Sequence, residues 1–489
     1  MSRPIQNLLR FYHTVRPLRL RQILGQARNR LRPTYKNRAR MRNAPPPPFP
    51  GLRWRPPKPF LIPGARRNNA DSLTGGAFTF LNQTRQTGWP PDWMCAGAAK
   101  LWQYNLHYFE WLWELDYPTA RQAALDWITN HDLDENHVGW EPYPVSLRLM
   151  NWCGVFFHRF RDAVDMDTKT RDRLWASLWL QARWLMMRVE THLMGNHLFE
   201  NAAALIVAGS CFAGDEARQW RLRGMRILRE QMREQILPDG MHFERSPMYH
   251  ARVVHVLILL MTLNETDITA LVREPLGRAL DALDKLRHPD GEIALFNDSA
   301  FGVCPEPRLL LEAGRSWAAR DATTESWGPW ALPAAGFYGW RSPDGTYIVC
   351  QYGDLGPDYL PGHAHGGIFS FEMSVNSRRV IVDTGVYDYE AGEMRRYCRS
   401  TRAHNTVEID GQDQCEFWGA FRVARRGRSR ETRWAPRPDG FVVSGWHDGY
   451  QRLPGRPRHE RRIEWSAPNR LMVTDIVSSR RPVTAVSRL

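Results

Sequence analysis

Apolar and aromatic residues recur at every third or fourth position between residues 90 and 320, and this spacing predicts α-helices. Short breaks at Pro, Gly or Asp separate the predicted helices, which cover residues 101–115, 119–130, 145–163, 168–193, 197–212, 215–236, 248–265 and 269–287. Paired helices of this length with short connections are typical of a helical toroid or a solenoid. The sequence has no strict repeat, which argues against a regular solenoid.

Beyond residue 330 the pattern changes to short segments that are rich in Val, Ile and aromatic residues and are separated by turns such as Ser342-Pro343-Asp344-Gly345. These predicted strands cover residues 336–341, 346–353, 367–375, 378–383, 405–410, 421–424, 440–446, 459–466 and 470–478. They predict an antiparallel β domain, and we expect a β-sandwich. The last predicted strand ends close to Leu489, so we expect the sandwich to be truncated at its C-terminus.

The N-terminal segment is predicted to be an arm and not a domain. Apolar residues between positions 5 and 31 lie at helical spacing with arginines between them. This pattern is typical either of a short helix packed on the main body or of an amphipathic segment on an anionic membrane surface. The Pro-rich stretch that follows, residues 45–63, predicts an extended linker. We therefore divide the chain into a basic arm with its linker (1–80), a helical domain (81–330) and a β domain (331–489).

Composition excludes disordered and collagen-like classes, because 43% of the 489 residues are hydrophobic and 24% are charged. The net charge of +14 is unevenly distributed. Residues 1–70 hold 17 Lys and Arg and no acid, residues 421–489 hold 16 Arg against six acids, and the remaining middle has a net charge of −13. No nucleic-acid recognition motif accompanies the basic ends, so we expect no nucleic-acid partner.

Seven cysteines form no CxxC pair, which argues against a disulfide framework or a zinc finger and predicts buried, reduced thiols. No signal peptide is visible, because arginines interrupt the first apolar positions. The longest apolar run, residues 253–263, contains His255 and is too short to span a bilayer. We expect a cytoplasmic protein by default, with a periplasmic or membrane-peripheral location as the alternatives.

Two polar clusters lie in the helical part. In the first, Asn196, His197 and Glu200 would share one side of a helix start, although Asn196 as a simple helix N-cap is the alternative. The second is the loop 239–250, which carries several ionisable groups around Pro247 and ends near Tyr249. Such a loop is typical of a functional segment, but Ser-Pro is also an ordinary helix start.

Two further clusters lie in the β part. His363 and His365 are two positions apart among small residues, and in extended chain they would point to one face, which suits a shared metal or a catalytic His beside a ligand His. The segment from Asp383 to Thr406 is predicted to be an Arg-rich loop between strands. Its guanidinium groups could clamp a carboxylate- or sulfate-bearing substrate, or could form a solvated basic loop.

Two aromatic motifs precede these clusters, WQYNLHY at 102–108 and WEPYPVSLR at 140–148, and the series ends in AHNT at 403–406. In this order and combination the motifs resemble the heparinase II/III-like polysaccharide lyases, over about residues 100–415. The resemblance implies an α+β multidomain fold in which an N-terminal incomplete (α/α) toroid is followed by an antiparallel β-sandwich. The missing signal peptide and the basic arm favour a bacterial branch associated with capsule or exopolysaccharide production.

The resemblance also implies β-elimination at a uronic acid, which leaves a 4,5-unsaturated sugar. Asn196 with His197 would neutralise the sugar carboxylate, and Tyr249 and His363 would serve as acid and base in either order. The remaining implied substrate-binding residues are Tyr143, Arg148, Glu200, Arg399 and Arg402, with Glu200 supporting His197. Zinc is implied as a structural ion on His365, Asp383 and His404, and we expect no organic cofactor.

The expected partner is an acidic polysaccharide that contains uronate, although the sequence does not specify which one. The main alternative enzyme is a glycoside hydrolase that uses two facing carboxylates among Asp239, Glu244 and Glu200. A third interpretation is a non-catalytic polysaccharide-binding or assembly protein. Ultraviolet absorbance separates the first two, because only elimination creates a conjugated double bond.

Overall fold

The computed structural model describes residues 3–31, 41, 44–54, 68–318 and 327–489. These residues fall into two compact units. The α unit holds residues 20–233 and 255–273, and the β unit holds residues 1–19, 234–254 and 274–489. Part of the predicted linker, residues 55–63, lies outside the described residues. The domain bounds 1–80, 81–330 and 331–489 stay a prediction.

Helices are the main elements up to residue 318, as the apolar periodicity predicts. Their bounds are α1 Arg3–Val15, α2 Leu20–Leu31, α3 Ala70–Thr74, α4 Lys100–Tyr108, α5 Tyr117–Asn130, α6 Pro142–Gly154, α7 Arg161–Met166, α8 Thr168–Arg188, α9 Gly195–Cys211, α10 Asp215–Gln235, α11 Pro247–Thr262, α12 Thr266–Lys285, α13 Pro307–Ala318 and α14 Glu393–Arg399. Local chemistry fixes several ends. The Asp116 side chain accepts from the Thr119 N–H and begins α5, and a π-helical turn, Val155–Arg159, continues α6.

Two helices of the α unit, α6 and α9, are buried along almost their whole length. Small residues allow their neighbours to come close: a Cβ on Gly209 of α9 would meet the backbone of Ala217 at 2.5 Å. A short hairpin of β1 Ala77–Phe80 and β2 Gln83–Gln86 also belongs to this unit. No described helix is both long enough and apolar enough to cross a bilayer.

Antiparallel sheets build most of the β unit, beginning with the five-stranded sheet β3-β4-β5-β6-β7 and the four-stranded meander β11-β12-β13-β14. The strands are β3 Gly328–Leu332, β4 Phe337–Arg341, β5 Tyr347–Gln351, β6 Phe371–Val375, β7 Arg378–Ile381, β8 Val407–Ile409, β9 Phe417–Trp418, β10 Arg422–Val423, β11 Ser429–Arg437, β12 Gly440–His447, β13 Arg458–Ser466, β14 Arg470–Ser478 and β15 Ala485–Ser487. Ile348 and Phe371 of the first sheet share one buried cluster with Phe441 and Ile463 of the second. The two sheets therefore enclose a common core, as in a β-sandwich.

The structure adds elements that the sequence pattern did not predict. Strand β11 escapes the pattern because most of its side chains are exposed and several are charged, so it shows no apolar alternation. Helix α14 has only seven residues, about two turns, which is too short to show a recurring apolar pattern. It replaces part of the predicted Arg-rich loop. Strand β15 pairs with β8 close to the C-terminus. All seven cysteines are buried free thiols, which confirms that prediction.

Candidate functional site

The α unit holds the first group of predicted site residues. Helix α9 begins at Gly195 directly after Met194, whose positive φ of 66° turns the chain sharply into the helix. Asn196 and His197 therefore lie in the first helical turn, where the backbone N–H groups and the helix dipole favour negative charge. Asn196 is not the N-cap, so the capping alternative is wrong. Met194 occupies that position and makes no side-chain cap.

Glu190, which no local sequence motif singles out, orients His197. Nδ1 of His197 lies 3.2 Å from Oε1 of Glu190, while Oε2 of the same carboxylate accepts from Asn201 Nδ2 at 3.1 Å. The Asn201 side chain in turn accepts from the Glu190 backbone N–H at 2.8 Å. The His197 side chain remains 30% exposed, whereas that of Glu190 is 7% exposed. A partly exposed imidazole is thus held by a buried carboxylate.

Tyr143 completes this group, because its ring packs against His197 with a centroid distance of 4.3 Å and its hydroxyl lies 3.5 Å from Asn196 Nδ2. Glu200 is almost fully buried within α9. Arg148 is fully buried, and its guanidinium stacks on Trp127 at 4.0 Å and donates to Gln181 Oε1 at 2.9 Å. The structure therefore gives Arg148 a packing role in place of the predicted contact with a substrate.

The second group lies in the β unit and centres on Tyr249 and His363. Ser246 accepts the Tyr249 backbone N–H at 3.3 Å and so places Tyr249 in the first turn of α11. The Tyr249 ring stacks on the His363 imidazole with a centroid distance of 4.0 Å and an interplanar angle of 8°. On its other side, His363 Nδ1 makes a close contact with the carboxylate of Glu244. The structure thus brings together the hydroxyl and the imidazole that the sequence predicted as partners.

The sequence suggested Glu244 only as a candidate carboxylate of a hydrolase. In the structure its buried side chain pairs with His363. A His that donates from Nδ1 to a carboxylate presents Nε2 as a proton acceptor. The His363 side chain is 17% exposed, which leaves part of its ring open to a ligand. The pair therefore has the form of a general base held in one orientation.

Tyr389 and Arg395 lie near Tyr249. The Tyr249 hydroxyl is 3.3 Å from the Tyr389 hydroxyl, and the Arg395 guanidinium lies 5.1 Å from the Tyr389 ring centroid. Burial lowers the pKa of Arg395, but the Asp298 carboxylate outweighs burial, so the pKa is raised overall. Tyr389 and Tyr249 raise it by smaller amounts. Burial raises the pKa of Tyr389 itself, so that tyrosine stays neutral.

Arg245 and His250, the charged or titratable neighbours of Tyr249 in sequence, have other hydrogen-bond partners. Arg245 donates to the backbone carbonyls of Asp354 and Ala334. Burial lowers the pKa of His250 to about 3, and its Nε2 donates to the Ala279 carbonyl at 2.9 Å. His250 is therefore neutral at neutral pH, whereas Arg395 is a cation that interacts electrostatically with Tyr249.

The chain around His363 and His365 is a turn and not a strand, which corrects the prediction that both histidines share one face. His365 instead contacts Asp298, with its Nε2 2.7 Å from Oδ1. Arg395 also pairs with Asp298, so this buried carboxylate holds a cation and an imidazole together. Asp298 was missed because nothing in its local sequence distinguishes it from other loop aspartates.

The three predicted zinc ligands lie in one buried region. His404 Nδ1 is 2.9 Å from both carboxylate oxygens of Asp383, and the His365 ring lies 5.4 Å from the His404 ring between centroids. His365 Nδ1 is buried and has no hydrogen-bond partner among the described residues. No group of three or more His, Cys, Asp or Glu in the described ranges is arranged to hold a metal ion. The donor types suit zinc, but the side chains do not form a ready ligand cage.

The two arginines predicted to bind substrate differ in exposure. Arg399 of α14 is 1% exposed, and its guanidinium donates to the carbonyls of Ala364 at 3.1 Å and Ala420 at 2.9 Å. Its donors are thus used to fix loops, which corrects the predicted clamp at this position. Arg402 is exposed and lies 5.4 Å from the Tyr397 ring centroid, so it stays a candidate contact.

A cavity of about 530 Å³ in the α unit involves none of the predicted site residues. Trp93, His131 and His137 line it together with Asp126 and three other aspartates. Burial lowers the pKa of His131 to about 4, so the histidines do not offset the carboxylates at neutral pH. An acidic lining of this kind does not suit a uronate.

Two family models match the chain. The model described as Heparinase II/III N-terminus matches residues 102–304, and the model described as Heparinase II/III-like, C-terminal, matches residues 324–489. The chain belongs to the heparinase II/III-like family, as the motif order predicted.

Curated relatives and solved structures agree with this assignment. The chain is 25% identical over 322 residues to a heparin-sulfate lyase of Pedobacter heparinus, covering 59% of this chain and 47% of that protein. It is 26% identical over 338 residues to a heparin-sulfate lyase of Bacteroides thetaiotaomicron, covering 60% and 48%. The chain thus spans about half the length of these relatives.

A crystal structure of heparinase III matches with a TM-score of 0.63 and 19% identity over 79% of this chain and 64% of the other. A heparan sulfate lyase from Pedobacter heparinus matches with a TM-score of 0.53 and 19% identity over 90% and 73%. These likenesses confirm the predicted fold, a helical toroid followed by an antiparallel β-sandwich.

Proposed function

We propose that this chain is a polysaccharide lyase that cleaves an acidic, uronate-containing polysaccharide by β-elimination. The observation that carries the proposal is the stacked pair of Tyr249 and His363, with His363 held by Glu244. Elimination needs a base and an acid beside the same sugar, and this pair supplies a hydroxyl and an imidazole. Membership of the heparinase II/III-like family supports the same chemistry.

In the proposed reaction a base removes the C5 proton of the uronate. The electron pair of the C5–H bond forms the C4–C5 double bond, the C4–O bond breaks, and the departing oxygen receives a proton from the acid. Tyr249 protonates the leaving oxygen and His363 Nε2 accepts the C5 proton when the two events occur on opposite sides of the sugar. Where both occur on one side, Tyr249 performs both steps, and the nearby Arg395 guanidinium stabilises its anionic form.

The C5 proton is too weakly acidic to remove while the adjacent carboxylate keeps its full charge. We assign neutralisation of that carboxylate to Asn196 and His197. The support is their position in the first turn of α9 and the Glu190 contact that holds His197 in place. Donors fixed before the substrate arrives stabilise developing charge without reorganising during the reaction.

Heparan-type glycosaminoglycans are the first substrates to test, because the curated relatives are named heparin-sulfate lyases. The basic arm supports a bacterial capsule or exopolysaccharide uronate polymer as the second class. We also propose a structural zinc ion on His365, Asp383 and His404, supported by the unpartnered Nδ1 of His365. Bound there, zinc would fix the turn that carries His363 and would take no part in proton transfer.

A hydrolase is less well supported, because its candidate carboxylates in the β unit have other partners. Asp239 accepts the backbone N–H of Met241 at 3.2 Å and that of Ala335 at 2.8 Å. Glu244 is occupied by His363. Neither carboxylate is left to activate a water molecule or to protonate a leaving group.

The test is to incubate the full chain with heparan sulfate, hyaluronan, alginate and bacterial uronate polymers while following ultraviolet absorbance. We expect absorbance to rise with at least one polymer and expect Tyr249→Phe to abolish the rise. Tyr12→Phe is the matched control, since Tyr12 is exposed on α1. Depolymerisation without new absorbance would indicate hydrolysis, and Tyr249→Phe with full activity would refute the assignment of Tyr249.

A further inference from the structure

Helix α1 is amphipathic, but it exposes its apolar face. Ile5, Leu8, Leu9 and Tyr12 follow the spacing i, i+3, i+4, i+7 and therefore form one face. All four are exposed, Leu8 to 69%. An apolar helix face normally packs against the protein core, so this orientation is the reverse of the usual one.

Contacts on the opposite side hold α1 in this orientation. Arg10 Nε donates to Glu416 Oε1 at 3.0 Å, and Thr14 Oγ1 accepts from Trp418 Nε1 at 2.9 Å. Arg10 and Thr14 are four positions apart and lie on the face opposite Ile5. Burial raises the pKa of Glu416, but ion pairs with Arg425 and Arg10 outweigh it and lower that pKa to about 2. The Glu416 carboxylate, which holds Arg10, therefore stays charged at neutral pH.

Helix α2 shows the same inversion independently. Leu20, Ile23 and Leu24 form one exposed face, with Leu20 at 69% exposure. The other side is the packed one: Gln22 is 5% exposed, and a Cβ on Gly25 would meet the Cβ of His192 at 2.6 Å. Two helices of the same arm thus dock through polar or small residues and present leucine and isoleucine outward.

Charge identifies what would cover these faces. Exposed arginines border them, namely Arg16 after the α1 face and Arg21 and Arg28 on α2. Residues 1–70 contain 17 Lys and Arg and no acid. An apolar face with interfacial aromatic residues and an arginine border is the pattern of a helix that lies in the headgroup layer of an anionic bilayer. A second copy of the chain would have to bring these like charges together.

We propose that α1 and α2 bind the full chain peripherally to an anionic lipid surface, with the leucine faces inserted and the arginines on the headgroups. This goes beyond the proposed function, because elimination needs neither helix. It places the lyase at a membrane face, where a polysaccharide that is assembled or exported there would meet it.

The test measures co-sedimentation of the full chain with vesicles of phosphatidylcholine alone and of phosphatidylcholine mixed equally with phosphatidylglycerol. We expect binding to the anionic vesicles only, weakened by salt. Leu8→Glu with Tyr12→Glu, and separately Leu20→Glu with Leu24→Glu, should each reduce partitioning about tenfold to a hundredfold. Met166→Glu is the control: it changes an even more exposed apolar residue, on α7 and outside the two faces, and this variant should bind like the parent.

Activity on soluble polysaccharide should stay unchanged in the Leu8→Glu, Tyr12→Glu variant, which confirms that it folds and separates this result from the proposed function. Absence of binding to anionic vesicles overturns the proposal. So does equal loss of binding in the Met166→Glu control. A dimer in sedimentation velocity that the Leu8→Glu, Tyr12→Glu variant dissolves would assign the face to a second copy and would also overturn it.

Discussion

The buried ion pair between Arg395 and Asp298 should be a main source of stability around the Tyr249 and His363 pair. Arg395 is 1% exposed and Asp298 is 0% exposed. Nη2 of Arg395 donates to Asp298 Oδ2 at 2.9 Å, and Nη1 donates to the other oxygen. Arg395→Met removes the cation and keeps a long apolar side chain, so among the described residues the Asp298 carboxylate is left with its contact to His365.

The magnitude follows from the contacts that are lost. Removing one partner of a buried ion pair costs about 3–5 kcal/mol, because the remaining charge stays buried without its partner. Arg395 also donates to the carbonyls of Ala420 at 2.9 Å and Gly362 at 3.2 Å, and each hydrogen bond from a charged donor contributes about 1.5–3 kcal/mol. The remaining bond from His365 offsets part of the loss. We expect the free energy of unfolding to fall by at least about 4 kcal/mol.

Gly362 directly precedes His363, so losing the Arg395 bond also frees the turn that carries the imidazole. Activity should therefore fall together with stability. The assay is urea unfolding followed by tryptophan fluorescence. Arg396→Met is the matched control, since Arg396 is the exposed neighbour on the same helix, and we expect a change within about 0.5 kcal/mol.

A double-mutant cycle isolates the pair itself. Asp298→Asn alone leaves Arg395 buried without its anion, and the double variant Asp298→Asn, Arg395→Met leaves neither charge. We expect the double variant to be more stable than the sum of the single losses predicts, by about 2 kcal/mol or more. If Arg395→Met unfolds at the same urea concentration as Arg396→Met, the reasoning about a buried, stabilising pair is refuted.

Three other predictions follow from the buried groups. Burial lowers the pKa of His250 to about 3 and that of His242 to about 4, whereas an exposed histidine has a pKa of 6.5. Between these values and pH 6.5 the unfolded chain therefore binds more protons than the folded chain. The contribution of these histidines to the free energy of unfolding is therefore fully present above pH 6.5 and falls with acidification, by about 2 kcal/mol per histidine at pH 5. Urea midpoints that do not change with pH in this range would contradict this prediction. Glu190→Gln should lower kcat/KM about tenfold to a hundredfold by loosening His197, whereas an unchanged kcat/KM would show that the contact does not matter. Metal analysis should find about one zinc ion per chain, absent in Asp383→Asn, and a metal-free, fully active parent would exclude that site.

Much of the fold could be predicted because it depends on periodicity that is written locally. Long runs with helical spacing gave the helices, and alternating apolar residues gave strands such as β12 and β13. The pattern failed where an element was too short or too exposed. Helix α14 has seven residues, and β11 is a mostly exposed strand in which Trp434 packs against the core without an alternating apolar pattern around it.

The candidate site shows the same division. Motif order made Asn196, Tyr249 and His363 candidates, since each lies in a distinctive local motif, and their roles stay a prediction. Their supporting carboxylates were missed or misassigned: Glu190 is seven positions from His197, and Glu244 is 119 positions from His363. Only folding brings such pairs into contact, so no local pattern could reveal them.

The sequence by itself determined the family, the order of helical and β regions and the residue types that we propose for elimination, because these depend on local spacing and motif order. The tertiary structure alone decided which charged side chains are buried or paired and which are exposed to a ligand. Arg399 is buried by its own carbonyl contacts, Arg395 is held by Asp298, and the leucines of α1 face outward. Burial, pairing and orientation depend on residues distant in the chain, and these contacts exist only once the chain has folded.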